Sequence, residues 1–112
     1  MPTVNIFYKD SKQEPTLQSL VGGLKDYVAK ELTCGDIKLE LNEVSVRFIK
    51  VTGGEMISAV EIEITAHFFA ERVKKQDEIC LRIMDYIHKE KPSLGKVKVW
   101  LQLSELGHSW KE

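Results

Sequence analysis

Val60-Glu61-Ile62-Glu63-Ile64-Thr65 alternates apolar and polar side chains with period two, the pattern of a strand with one face buried and one face wet. Forward from it, Val73, Ile79, Cys80, Ile83 and Ile87 form one apolar stripe and predict a helix over about 72–90. Lys91-Pro92-Ser93-Leu94-Gly95 ends that helix, because proline cannot continue it. Val97, Val99, Leu101 and Leu103 then alternate with Lys98, Trp100 and Gln102 in another half-buried strand. Ser104 to Glu112 reads as a polar tail that carries Trp110.

The same plan stands about 57 residues earlier. Thr3 to Tyr8 is a strand, with Val4 and Ile6 alternating against Thr3 and Asn5. Ser11-Lys12-Gln13-Glu14 fits a capping box and Pro15 a first helical turn. Leu17, Leu20, Val21, Leu24, Val28 and Leu32 then make a helical stripe over about 15–32, with Gly35 as its stop. Ile37, Leu39 and Leu41 alternate with Lys38, Glu40 and Asn42 and predict the second strand. Val46 to Val51 is a less regular strand, and Thr52-Gly53-Gly54-Glu55 is a turn.

Strand, helix, strand therefore occurs twice, in halves of about 2–51 and 58–104 of a single domain spanning 1–112. The expected fold is α/β (α+β): two tandem β-α-β units giving a four-stranded mixed sheet with both helices on one face. The same element order also suits a ferredoxin-like domain, in which another strand separates the two strands of each half. The other sheet face would carry Lys38, Glu40, Asn42, Glu61, Glu63, Thr65, His67, Lys98, Trp100 and Gln102. That face is either solvated or met by other subunits, and the large aromatic Trp100 favours contact. Gly22-Gly23 lies inside the first helix, where each glycine costs roughly 0.8–1 kcal/mol against alanine. A close approach by another element and a local helix irregularity explain the pair equally well.

Composition narrows the function classes. The 112 residues are 43% hydrophobic and 29% charged, which argues for a globular chain over a disordered or coiled-coil one. A formal charge of −1, without a cationic stripe, points to neither a nucleic-acid nor a membrane partner. No apolar run reaches the roughly 20 residues that span a bilayer, and no secretory signal is visible, so the expectation is a cytoplasmic protein. Cys80 reads as a small buried apolar residue, Cys34 is remote in sequence, and His67, His88 and His108 lack metal-ligand spacing. Gly53-Gly54 lacks the lysine and spacing of a phosphate loop.

Met1-Pro2, the two tandem halves and the turn ending Gly53-Gly54-Glu55 together resemble the tautomerase superfamily, which includes 4-oxalocrotonate tautomerase and macrophage migration inhibitory factor. Ile37-Lys38-Leu39-Glu40-Leu41-Asn42-Glu43-Val44 looks like that enzyme's second strand, and Val60-Glu61-Ile62 with Gln76-Asp77-Glu78-Ile79 looks like a tautomerase-like bacterial branch. The resemblance covers nearly the whole chain through short motifs. It implies a cofactor-independent tautomerase or isomerase acting on a small 2-oxo or enol acid. After methionine removal Pro2 would be a secondary amine, whose pKa an apolar pocket or nearby cations would lower towards that of a general base.

The resemblance further implies substrate-binding roles for Lys12 (or Lys9), Lys38, Arg47, Phe48 and Trp100. Lysine at 38 replaces the family's usual arginine and lacks its planar fork, which disfavours a dicarboxylate, and the adjacent pocket residue Arg47 is a substitute for it. These side chains also have ordinary readings: solvated charges for Lys12 and Lys38, core for Phe48, a surface ion pair for Arg47. A homotrimer is implied in the same way. The alternative is a catalytically inactive oligomer of the same fold with a ligand-binding or structural role.

Overall fold

The computed structural model describes residues 2–33 and 40–104, with Leu41 described by its backbone alone. The alternating stretches form strands β1 (Thr3–Tyr8), β2 (Ser45–Lys50), β3 (Val60–His67) and β4 (Val97–Ser104). The helical stripes form α1 (Glu14–Leu32), α2 (Ala70–Lys74) and α3 (Gln76–Glu90).

The four strands make one sheet in the order β2-β1-β3-β4. β1 pairs parallel with β2, β3 pairs parallel with β4, and β1 meets β3 antiparallel. Each half's two strands are therefore direct neighbours. That excludes the ferredoxin-like arrangement, in which they would be separated.

Period two decides which side chains meet the helices. Val4, Ile6 and Tyr8 of β1, and Val60, Ile62, Ile64 and Ala66 of β3, are buried. Leu17, Leu24, Val28 and Leu32 of α1 and Ile79, Ile83 and Ile87 of α3 close over them as one core. Fully burying side chains of this size contributes roughly 1.5–3 kcal/mol each.

Four local readings change. The strand beside β1 is Ser45–Lys50, the less regular candidate, while Leu41–Glu43 forms a 3-10 turn and residues 34–39 lie outside the described residues. Ser45, Arg47 and Ile49 thus take the open-face places expected for Lys38, Glu40 and Asn42. The capping side chain is Asp10 and not Ser11: it accepts from the Lys12 amide at the start of a 3-10 turn, while Gln13, the N-cap of α1 itself, makes no side-chain capping bond. A 3-10 turn at Ser11–Gln13 then leads into the helix.

The second helix is broken at Lys75, and the break reverses one burial. Val73 is 41% exposed, whereas Arg72 is 3% exposed. Counting back seven residues from Ile79 lands on Arg72, so the apolar character of Val73 pointed to the wrong phase. Cys80 is half-buried against the core and not fully enclosed; burial is the main cause holding its thiol above the ordinary value.

The glycine pair is resolved by packing. α1 runs unbroken through Gly22 and Gly23, so no helix irregularity is involved. The Tyr86 hydroxyl lies 2.2 Å from where a Gly23 β-carbon would stand, while nothing lies within 4 Å of one on Gly22. Tyr86 is stacked on Tyr27 with ring centroids 4.4 Å apart, locking α3 against α1.

Candidate functional site

Pro2 is buried at the head of β1. Its carbonyl accepts a hydrogen bond of 3.1 Å from the Ser45 amide at the head of β2. Thr3 pairs with Ser45 on one side and Thr65 on the other, so Pro2 enters the sheet where β3 is ending.

The same end of the sheet holds a cation that the sequence reading passed over. Arg72 donates through Nε to the Leu32 carbonyl at 2.9 Å and through Nη1 to the His67 carbonyl at 2.8 Å. Its guanidinium lies 4.7 Å from the centre of the Phe69 ring. It ties the last residue of α1 to the last residue of β3. The available signal was its seven-residue spacing from the buried Ile79.

The other expected site residues are spread over the chain. Lys12 lies beyond the far end of β1, about 20 Å from Pro2 at a strand rise of about 3.3 Å per residue. Lys9, also at that end, donates to the Gly54 carbonyl in the loop after β2. Phe48 pairs in register with Ile6 and packs half-buried against the core on the helix side. Arg47 pairs with Asn5 and is exposed on the opposite, open face. Trp100 is on that open face too, 54% exposed, opposite Glu63. Three strand spacings, about 14 Å, separate it from Arg47. Lys38 lies outside the described residues. One chain thus places Pro2 and the buried Arg72 at the same end of the sheet, and does not bring Pro2 together with Lys12 or Trp100.

The open face itself carries chemistry. Lys98 places its ammonium 5.5 Å from the Trp100 ring centre. Glu61, Glu63, Lys98 and Trp100 line a shallow depression there. Glu61 accepts from the Ile57 amide at 2.7 Å, which fixes the loop entering β3. Among the described residues, no group of three or more His, Cys, Asp or Glu side chains could hold a metal ion. No helix of these residues is long and apolar enough to cross a membrane.

No family model matches the sequence, and no curated protein matches it either. Solved structures do match. A protein of unknown function from Vibrio cholerae O1 biovar eltor superposes with a TM-score of 0.69 at 14% identity, over 99% of this chain and 84% of that one. A malonate semialdehyde decarboxylase superposes with a TM-score of 0.66 at 12% identity, over 98% and 91%. A fused 4-oxalocrotonate tautomerase, an asymmetric trimer, gives 0.61 at 14% identity, over 91% and 85%. This chain has the tautomerase fold. At such identities the likeness speaks for the fold alone. Within the tautomerase fold the head of β1, where Pro2 sits, is flanked by the head of β2 and the end of β3.

Proposed function

We propose that this chain is a cofactor-independent tautomerase or isomerase whose general base is Pro2. The observation that carries the reading is the burial of Pro2 at the head of β1, on a tautomerase fold. Removal of Met1 frees a secondary amine there. That amine takes a proton from the carbon beside the carbonyl of a small 2-oxo acid. The C–H electron pair becomes the enolate double bond, the carbonyl oxygen takes the negative charge, and the proton returns to oxygen or to another carbon. An apolar setting lowers the amine's affinity for its proton, which keeps it a base near neutral pH.

The developing oxyanion and the substrate carboxylate need cations. Lys12 is too far from Pro2 in its own chain, so it serves the site of a neighbouring copy, and we propose a homotrimer as the working form. The match to a trimeric 4-oxalocrotonate tautomerase supports that assembly.

The test is ketonisation of simple enol acids by protein whose intact mass shows Met1 removed, with Pro2→Ala as control. Turnover that falls at least a hundredfold in Pro2→Ala supports the base. Turnover indifferent to Pro2 overturns Pro2 as the base, and turnover absent across several enol acids leaves a catalytically inactive oligomer of this fold.

A further inference from the structure

β1 and β3 run antiparallel with Thr3 paired to Thr65. One step outward Pro2 faces the level of Ala66, and the position before Pro2 faces the level of His67. The nitrogen of Pro2 points along the chain away from Thr3, towards that last level. A strand spacing of about 4.8 Å and a rise of about 3.3 Å per residue set the Pro2 and His67 α-carbons about 6 Å apart. His67 is therefore the ionisable side chain of β3 nearest the amine that removal of Met1 frees. It continues the period of Glu61, Glu63 and Thr65, which puts its imidazole on the open face, exposed.

The end of β3 is held firmly in place. Arg72 donates to the His67 carbonyl at 2.8 Å, and the Phe68 amide donates to the Ser104 carbonyl at 2.9 Å, which carries the pairing with β4 to this point. The Phe69 ring meets the imidazole edge-on, with centroids 4.9 Å apart, and itself lies 4.7 Å from the Arg72 guanidinium. The imidazole thus has a packed aromatic neighbour and still meets solvent. His88 is different: it is exposed near the end of α3, which runs on towards the start of β4 at the far end of the sheet.

We propose that His67 is the acid that works opposite Pro2. The inference rests on Pro2 being the base and names its partner. As Pro2 takes the proton from carbon, the C–H electron pair forms the carbon–carbon double bond and the carbonyl π pair moves onto oxygen. The N–H bond of protonated His67 breaks towards that oxygen, its electron pair staying on the ring, and an O–H bond forms. The enol leaves, and water carries the proton from Pro2 back to His67, so no further reactant is consumed. Imidazole suits this place because it both gives and takes a proton near neutral pH. Its charged form also disfavours a protonated amine close by, which helps to keep Pro2 a base. The other charged groups around it are Arg72 and Glu71 of α2 and, on the β2 side, Glu43, two residues before Ser45.

Ketonisation of enol acids across a pH range tests this, on full-length chain after Met1 removal. The proteins compared are wild type, Pro2→Ala, His67→Gln, His67→Ala and His88→Gln, with circular dichroism to check that each is folded. His67→Gln is expected to lower kcat at least about tenfold with KM little changed, and to erase one limb of the bell-shaped profile while the limb set by Pro2 stays. Added imidazole is expected to restore part of kcat in His67→Ala and none in Pro2→Ala. His88→Gln is expected to match the wild type. A His67→Gln protein with wild-type kcat and both limbs overturns His67 and leaves Pro2 as the base. A fall in kcat with both limbs kept and no rescue by imidazole shows a merely structural histidine and overturns the acid as well. A wild type that turns over no enol acid, or does so equally without Pro2, overturns the base and its partner together.

Discussion

The hydroxyl of Tyr86 occupies the space beside Gly23 where any other residue would place its β-carbon, 2.2 Å away. Gly23→Ala gains helix propensity of roughly 1 kcal/mol but must push the ring off Tyr27, at an overpacking cost of roughly 1–3 kcal/mol. The expected net change is a loss of about 1 kcal/mol in urea unfolding. Gly22→Ala, with open space around it, is expected to gain about 0.5–1 kcal/mol. The next atom facing Gly23 is the Tyr86 Cζ at 3.5 Å, an ordinary contact, so Tyr86→Phe should turn Gly23→Ala from loss to gain. Equal effects of alanine at 22 and 23 would sink this account.

Arg72 donates to two backbone carbonyls, that of Leu32 in a buried bond and that of His67 in a part-buried one. Arg72→Met keeps much of the side-chain volume and removes both donors. The expected loss is about 3–5 kcal/mol, from two hydrogen bonds to a charged group worth roughly 1.5–3 kcal/mol each. Arg72→Lys offers one ammonium where two separate nitrogens are used, and should recover less than half of that loss. Because His67 ends β3 beside the head of β1, amide exchange at Thr65 and Thr3 should quicken in Arg72→Met before exchange in mid-α1 does. Uniform quickening across both places would show a global effect instead.

The sheet was legible in the sequence wherever one face is core and the other solvent. Val60 to Thr65 and Val97 to Leu103 alternate cleanly, and both are strands. β2 was obscured for the same physical reason. It is an edge strand whose Ser45, Arg47, Ile49 and Lys50 are all exposed, so its alternation is weak, while residues 37–42 alternate better. Arg72 was illegible as core because a buried charge breaks the apolar pattern on which the stripe depends. Pro2 was legible as a candidate from its place in the chain. The separation of Pro2 from Lys12 was not, because it follows from which end of β1 each residue adjoins and not from residue type.

Gly95 closes the turn after α3 with φ of 74° and ψ of −141°, a conformation that residues with a β-carbon rarely adopt. Nothing lies within 4 Å of a β-carbon built there, so any penalty comes from the backbone alone. Gly95→Ala is expected to cost about 1–3 kcal/mol in thermal or urea unfolding. Replacing the neighbouring exposed Lys96 by alanine should change stability by less than about 0.5 kcal/mol. A neutral Gly95→Ala would mean that the turn relaxes into an ordinary conformation.

All three tyrosines hold their protons more tightly in the folded chain than in isolation. For Tyr8 the first cause is its hydrogen bond to the Glu14 carboxylate, 2.8 Å long. For Tyr27 and Tyr86 it is desolvation, helped by the negative charges of Glu31 and Glu90 respectively. A phenol with a raised folded pKa stays protonated while the unfolded chain ionises, so the unfolded state binds fewer protons and stability falls with rising pH. The tyrosine contribution should be fully present below about pH 10, the usual tyrosine value, and should decline above it. Urea midpoints measured from neutral to alkaline pH are expected to drop beyond that point, with tyrosinate absorbance of the folded protein appearing late. Tyr27→Phe removes one ionising group and should make the alkaline decline shallower than in the wild type. Tyrosinate appearing in the folded chain at the ordinary pH, with no change of slope in Tyr27→Phe, would refute the linkage.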